Sequence, residues 1–260
     1  MPPDTGGFFH LGQACQIRLK GEMNMSNDRK AFQQVDGEER FTRRLFRVVQ
    51  PIWDASLNHP FLTGLRDGTL DQRKFAYYMR QDYVYLIDYA KMFAIGSIKA
   101  PDLETMGKFA QLLDATLNME MELHRQYAAK FGISHEELEA TRPSPTTIAY
   151  TKYLLDAAQT GSFPELVAAL LPCMWGYNMV GKEFARDPKA LEHPLYKDWV
   201  LMYSSEEFSE LTDWTLGLLD RLADGLPERK LAKLEEHFLI SSRFEYMFWD
   251  AAYREEGWPV

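Results

Sequence analysis

An all-α fold is what this sequence predicts, and three observations carry the prediction. From residue 39 onward apolar side chains recur at three- and four-residue spacings, the period of one face of a helix. No run of period-two alternation bounded by turn signals, the mark of a half-buried strand, breaks that pattern. Helix-start and helix-stop signals stand at the ends of the periodic stretches.

Taken in order, the stops fall at Asn58-His59-Pro60, Arg66-Asp67-Gly68, Ala100-Pro101, Phe131-Gly132, Arg142 to Pro145, Gly161-Ser162, Asp187-Pro188, His193-Pro194 and Gly225 to Pro227. They divide the chain into about eight or nine helices. Ser134 with Glu137, and Ser162 with Glu165, match the capping box, in which each side chain serves an amide that the first helical turn leaves orphaned. Ser144 before Pro145 puts proline at the first helical position, where its missing amide costs nothing. Pro172, by contrast, falls inside a periodic stretch, where it frees the carbonyl of Ala168 and predicts a kink beside Cys173.

Composition narrows the function. An apolar share of 46% over 260 residues is enough for one sizeable core, so one large domain over residues 39–260 is the simplest organisation. Residues 1–38 read as an extension of uncertain order, with Met23 or Met25 as alternative starts. A net charge of -9 argues against nucleic acid and anionic membranes as partners. No apolar run approaches the roughly 18 residues that span a bilayer, and the head lacks the apolar stretch of a secretory signal. The two cysteines, Cys15 and Cys173, lie far apart and suggest no disulfide framework, which fits a reducing, cytoplasmic compartment.

Three polar side chains interrupt apolar stripes. Phe75, Tyr78, Met79, Tyr85, Leu86, Tyr89, Met92 and Phe93 share a face with Asp82 at its middle. A carboxylate facing a core needs a partner, which a tyrosine or arginine from a neighbouring helix could supply. Toward the C-terminus, Leu231, Leu234, Phe238, Ser241, Ser242, Phe248, Trp249 and Ala252 frame Glu245. Burial raises such a carboxyl toward neutrality and suits it to carry protons; the bland alternative is an acid held by Ser241 or Ser242. On the third stripe Cys173 shares a face with Leu166, Ala169, Leu170, Tyr177 and Val180, and taken alone a buried cysteine is more often core than nucleophile. Three helices aiming an acid, a second acid and a thiol into tyrosine-rich surroundings describe a pocket for an aromatic heterocycle.

Metal chemistry finds less support. The six histidines form no E-x-x-H pair and no H-E-x-x-H. Glu120 and His124 share a helical face, but the polar run around them reads as a solvated helix surface. His59 and His193 each precede a proline at a turn, where structural roles are the default. Serine-triad, P-loop and dinucleotide-binding motifs are absent.

From residue 39 to the C-terminus the chain resembles the TenA family, also called thiaminase II or aminopyrimidine aminohydrolase. The resemblance rests on HPFLTGLRDGTL with FAYYMRQDYVYL, on RPSPTTIAYTKYL, on ALLPCMWGY, on HPLYKDWVLMYSSEEF and on LISSRFEYMFWDAAYREEGW, in that order. It implies a haem-oxygenase-like helical bundle, a homotetramer with a pocket in each subunit, and hydrolysis of thiamine or of 4-amino-5-aminomethyl-2-methylpyrimidine to the hydroxymethyl product in thiamine salvage. By match to the family motifs, Cys173 corresponds to the nucleophile and Glu245 to the acid and base. Asp82 corresponds to the anchor of the aminopyrimidine, and Tyr85, Tyr150, Tyr177 and Tyr203 to the tyrosines around it. No metal or organic cofactor is required. Two rival readings stand beside this one: a regulatory protein of the same family acting without direct DNA contact, and a cofactor-less oxidase of the pyrroloquinoline quinone synthase type, whose site should be rich in histidine and basic groups.

Overall fold

A computed structural model of the chain describes residues 40–260; the expectations for the 1–38 extension and for Cys15 lie outside the described residues. Within them the secondary structure is helical, with no strand. The helices are α1 (Phe41–Leu57), α2 (Pro60–Asp67), α3 (Gln72–Lys99), α4 (Leu103–Ala115), α5 (Met121–Ala129), α6 (His135–Glu139), α7 (Pro145–Thr160), α8 (Phe163–Phe184), α9 (Pro188–Glu192), α10 (Lys197–Tyr203), α11 (Glu206–Ala223) and α12 (Glu228–Arg254). One turn of π-helix, Thr116–Glu120, joins α4 to α5. The expected eight or nine helices undercount because α6, α9 and α10 span only five to seven residues each, too short to show an apolar period.

Local chemistry explains the boundaries. Ser134 accepts the Glu137 amide at 3.2 Å while its own amide donates to the Glu137 carboxylate at 2.8 Å, which completes the capping box. The Ser162 amide donates to Glu165 at 2.5 Å. Ser144 caps α7 by accepting from the Thr147 amide, with Pro145 at the first helical position. His59 and His193 fill the structural roles expected of them, each accepting a main-chain amide two residues on through Nδ1. The helix α8 runs on through Pro172 from Phe163 to Phe184.

α8 is the axis of the bundle. It packs against α12, α11, α10 and α7, and its first half buries every residue from Leu166 to Pro172. A helix apolar on all sides has no face left for water and must sit at the centre. α3, the longest helix, lies against α4, α7 and α12. α10 approaches α8 so closely at Gly181 that a Cβ there would lie 2.6 Å from the Tyr203 main chain. Asn178 pins the same contact by donating to the Tyr203 carbonyl at 3.0 Å. Among the described residues no helix is long and apolar enough to cross a membrane.

Candidate active site

A cavity of about 270 Å³ opens between α3, α4, the π turn, α8, α10 and α11. It exceeds the roughly 150 Å³ that accommodates a benzene ring, so a substituted heterocycle fits. Asp82, Tyr85, Cys173, Tyr177 and Tyr203 line it, all five singled out by the sequence. Tyr89, Phe93, Met174 and Phe208 add apolar wall. The lining carries three acids, Asp82, Glu120 and Glu207, and no lysine, arginine or histidine.

On the α3 side the Asp82 carboxyl is buried and hydrogen-bonded. Its Oδ2 accepts from the Tyr78 hydroxyl at 3.1 Å and lies 2.7 Å from His124 Nε2. His124 Nδ1 lies 3.2 Å from the main-chain carbonyl of Glu120. Both ring nitrogens therefore face acceptors, an arrangement that suits the imidazolium. Burial works against charge on His124, but Asp82 and Glu120 outweigh it and raise the ring above its usual range. Trp199 Nε1 donates to Tyr78 at 3.3 Å, and the Tyr177 hydroxyl lies 3.3 Å from that of Tyr78, so the network reaches α8 and α10. The expected partner of Asp82 is a tyrosine or an arginine from a neighbouring helix; the tyrosine present, Tyr78, lies on α3 itself, and the neighbouring helix α5 supplies a histidine instead.

That histidine corrects the sequence reading of the Glu120 region. Glu120 and His124 are not on a solvated helix surface: His124 is buried, and Glu120, partly buried, lines the cavity. The π turn is the physical reason. Its wider winding shifts the helical phase, so that residues on a polar run turn inward, while Glu122 and Gln126 stay exposed. Such single π turns recur at functional sites. Among the described residues no group of three or more His, Cys, Asp or Glu side chains is placed to hold a metal ion.

The α8 and α12 side differs. The Cys173 thiol, on α8, is pushed well above its usual range by burial and then by the charge of Glu245, while the Tyr85 hydroxyl acts the other way. Tyr85 itself makes no regular hydrogen bond although its hydroxyl is buried. Glu245 accepts from the Tyr150 hydroxyl at 2.5 Å. Burial pushes its carboxyl up to about 8, opposed by the Tyr150 and Cys173 hydrogen bonds. The alternative of an acid held by Ser241 or Ser242 fails, because both hydroxyls are buried without a partner. Glu245 and Tyr150 do not line the large cavity. They stand behind its wall, with the Tyr150 ring 5.2 Å from that of Tyr85. Glu245 also borders a small chamber of about 20 Å³ with Trp53, Gly176 and Trp249, room for a single water.

The structure thus brings five of the seven singled-out side chains onto one cavity and sets the other two directly behind the thiol. Sequence reasoning missed Glu120 as a lining residue and His124 as the partner of Asp82. The only sequence signal was their shared helical face, and the π turn obscured it.

The chain has counterparts among known proteins. The family model described as TENA/THI-4/PQQC matches residues 47–255. The chain is 52% identical over 218 residues to a protein of Halalkalibacterium halodurans named aminopyrimidine aminohydrolase, covering 84% of this chain and 97% of that one. A solved structure described as a TenA family transcription regulator, from a Silicibacter species, superposes with a TM-score of 0.76 at 30% identity, covering 82% of this chain and 96% of that one. A domain described as having a heme oxygenase-like fold, from Shewanella denitrificans, superposes with a TM-score of 0.67 at 17% identity, over 82% of this chain and 92% of that one. The last likeness concerns fold alone, and it bears out the expected haem-oxygenase-like all-α bundle.

Proposed function

The chain belongs to the TENA/THI-4/PQQC family, and from that premise we propose that it is a hydrolase of aminopyrimidines, acting on thiamine or on 4-amino-5-aminomethyl-2-methylpyrimidine to release the hydroxymethylpyrimidine. The observation that carries the reading is the pairing of the Cys173 thiol, on the wall of a cavity sized for a ring, with the Glu245 carboxyl directly behind it. A thiol whose proton is held tightly needs an adjacent base to become a nucleophile, and Glu245 is that base.

In this mechanism ionised Glu245 takes the thiol proton as the Cys173 sulfur adds to an electron-poor ring carbon. The bond from the methylene to the leaving group then breaks, the nitrogen keeping the electron pair, so that ammonia or thiazole departs neutral from its cationic substrate and Glu245 releases the thiol's proton to solvent. Water adds to the exposed methylene and yields a proton to Glu245, which returns it to sulfur as the carbon-sulfur bond breaks. The net change is cationic substrate plus water to neutral alcohol, neutral leaving group and one proton. Asp82 anchors the ring with Oδ1, the carboxylate oxygen that no protein group occupies among the described residues. Tyr85, Tyr177 and Tyr203 enclose the ring, and Tyr150 holds Glu245 in place.

The acid-lined cavity favours this reading over an oxidase for an acidic quinone precursor, which would need basic groups that the lining lacks. The same reading extends to a cytoplasmic homotetramer, which sedimentation would test. Its decisive experiment measures ammonia released from the aminomethylpyrimidine and thiazole released from thiamine, with wild type and Cys173→Ala side by side. Cleavage of at least one substrate by wild type, and its loss by two or more decades of kcat in the variant, is the expected result. No cleavage by wild type ends the functional reading; near-wild-type turnover by Cys173→Ala ends the covalent mechanism.

A further inference from the structure

Glu120 has no part in the mechanism above, yet its surroundings are specific. The π turn directs it onto the cavity. The hydrogen bond to its carboxylate is a long one, from Thr116 Oγ1 at 3.4 Å to Oε2. Burial raises its carboxyl, His124 opposes that rise, and Asp82 adds to it. Two carboxyl groups, Asp82 and Glu120, meet one imidazole, His124, in this corner, and a cationic ligand beside Glu120 would supply the counter-charge that burial otherwise denies its carboxyl. No lysine or arginine lines the cavity to complete the balance. Apart from that one long bond the Glu120 carboxyl is left for a ligand in the cavity to satisfy.

Both candidate substrates carry one positive charge bonded to the methylene. It is an ammonium in the aminomethylpyrimidine, whose amine is protonated at neutral pH as an alkyl amine is, and a thiazolium in thiamine. The product alcohol is neutral. We propose that Glu120 is a specificity-determining residue that holds the cationic leaving group, so that the cavity retains charged substrate and releases neutral product. The proposal rests on the aminopyrimidine hydrolase reading and deepens it. When the bond from methylene to nitrogen breaks, nitrogen keeps the electron pair and the substrate's positive charge is spent. The Glu120 contact thus belongs to the ground state and weakens as the reaction proceeds. A contact of that kind acts on KM more than on kcat.

The test compares wild type, Glu120→Gln and Glu120→Asp. For each, KM and kcat are measured for both substrates, together with the inhibition constant of the hydroxymethylpyrimidine and the melting temperature. In Glu120→Gln, KM for the charged substrates should rise roughly ten- to hundredfold, the inhibition constant of the neutral alcohol should stay within about threefold, and kcat should move less than KM. Glu120→Asp, which keeps the charge, should recover part of the preference. Equal weakening of charged and neutral ligands, or no change in either, overturns the proposal. Calorimetric titration of wild type and Glu120→Gln with the aminomethyl and hydroxymethyl compounds reads the same charge preference without turnover. A protein that binds the ammonium compound preferentially but cleaves nothing would therefore refute the hydrolase reading and not the cation site.

Discussion

The two walls of the cavity each bury an acid, and they treat it in opposite ways. On the α3 wall Asp82 meets His124 at 2.7 Å and the Tyr78 hydroxyl at 3.1 Å, so it has a basic ring and a donor beside it. Behind the α8 wall, on α12, Glu245 has a tyrosine and a thiol beside it, and burial pushes its carboxyl up to about 8. The difference teaches that burial by itself does not set an acid's role. An acid with an imidazole and a hydroxyl donor beside it is held in one geometry, suited to binding, whereas Glu245, pushed upward by burial, is suited to giving and taking a proton.

The largest expected effect breaks the comparison at its reactive side. Glu245→Gln keeps shape but transfers no proton, so kcat should fall by roughly 10² to 10⁴ with product affinity largely kept. Preserved turnover in a well-folded Glu245→Gln protein would mean that the two walls do not differ in kind. Asp82→Asn should fail otherwise, raising KM about tenfold or more as well as lowering kcat, because a ring contact exists before and during the reaction. A variant with altered kcat alone would move Asp82 to the reactive side.

Stability should separate the walls with opposite signs. His124→Leu leaves Asp82 buried without its counter-charge and should cost on the order of 3 kcal/mol. Glu245→Gln removes a buried acid that folding holds protonated, and should stabilise the protein. Both native shifts run upward, so both contributions fade as pH rises. The His124 contribution is whole below about 6.5 and is lost as pH climbs through its raised folded value. For Glu245 the unfolded chain ionises near 4.5 and the folded one near 8, so stability falls across that window. Unfolding free energies from pH 4.5 to 9 should therefore decline in wild type and decline less in Glu245→Gln, by on the order of 1–4 kcal/mol at the alkaline end. Parallel curves would show that Glu245 is not held protonated. The smallest effect belongs to Ser241→Ala and Ser242→Ala. Neither hydroxyl has a partner, so stability should change by no more than about 1 kcal/mol and not downward by more than the packing of one oxygen.

Much of this was legible in the order of residues. Asp82, Cys173 and Glu245 could be found because each stands at helical spacing within an apolar stripe, and a regular helix turns that spacing into a shared face. Glu120 and His124 could not, because a π turn between α4 and α5 breaks the period on which the reading depends. The run around them therefore looked like an exposed polar face.

By itself the sequence determined the helices, their caps and the three stripes with a polar side chain at the centre. These follow from interactions within a few residues of chain, where 3.6-residue periodicity and the orphaned amides of a first turn decide the outcome. Only the tertiary structure decided which acid meets a cation. His124 lies 42 residues from Asp82, and Tyr150 lies 95 from Glu245. Those distances of 2.7 and 2.5 Å are set by how α3, α5, α7 and α12 pack, and with them the partners that each acid meets.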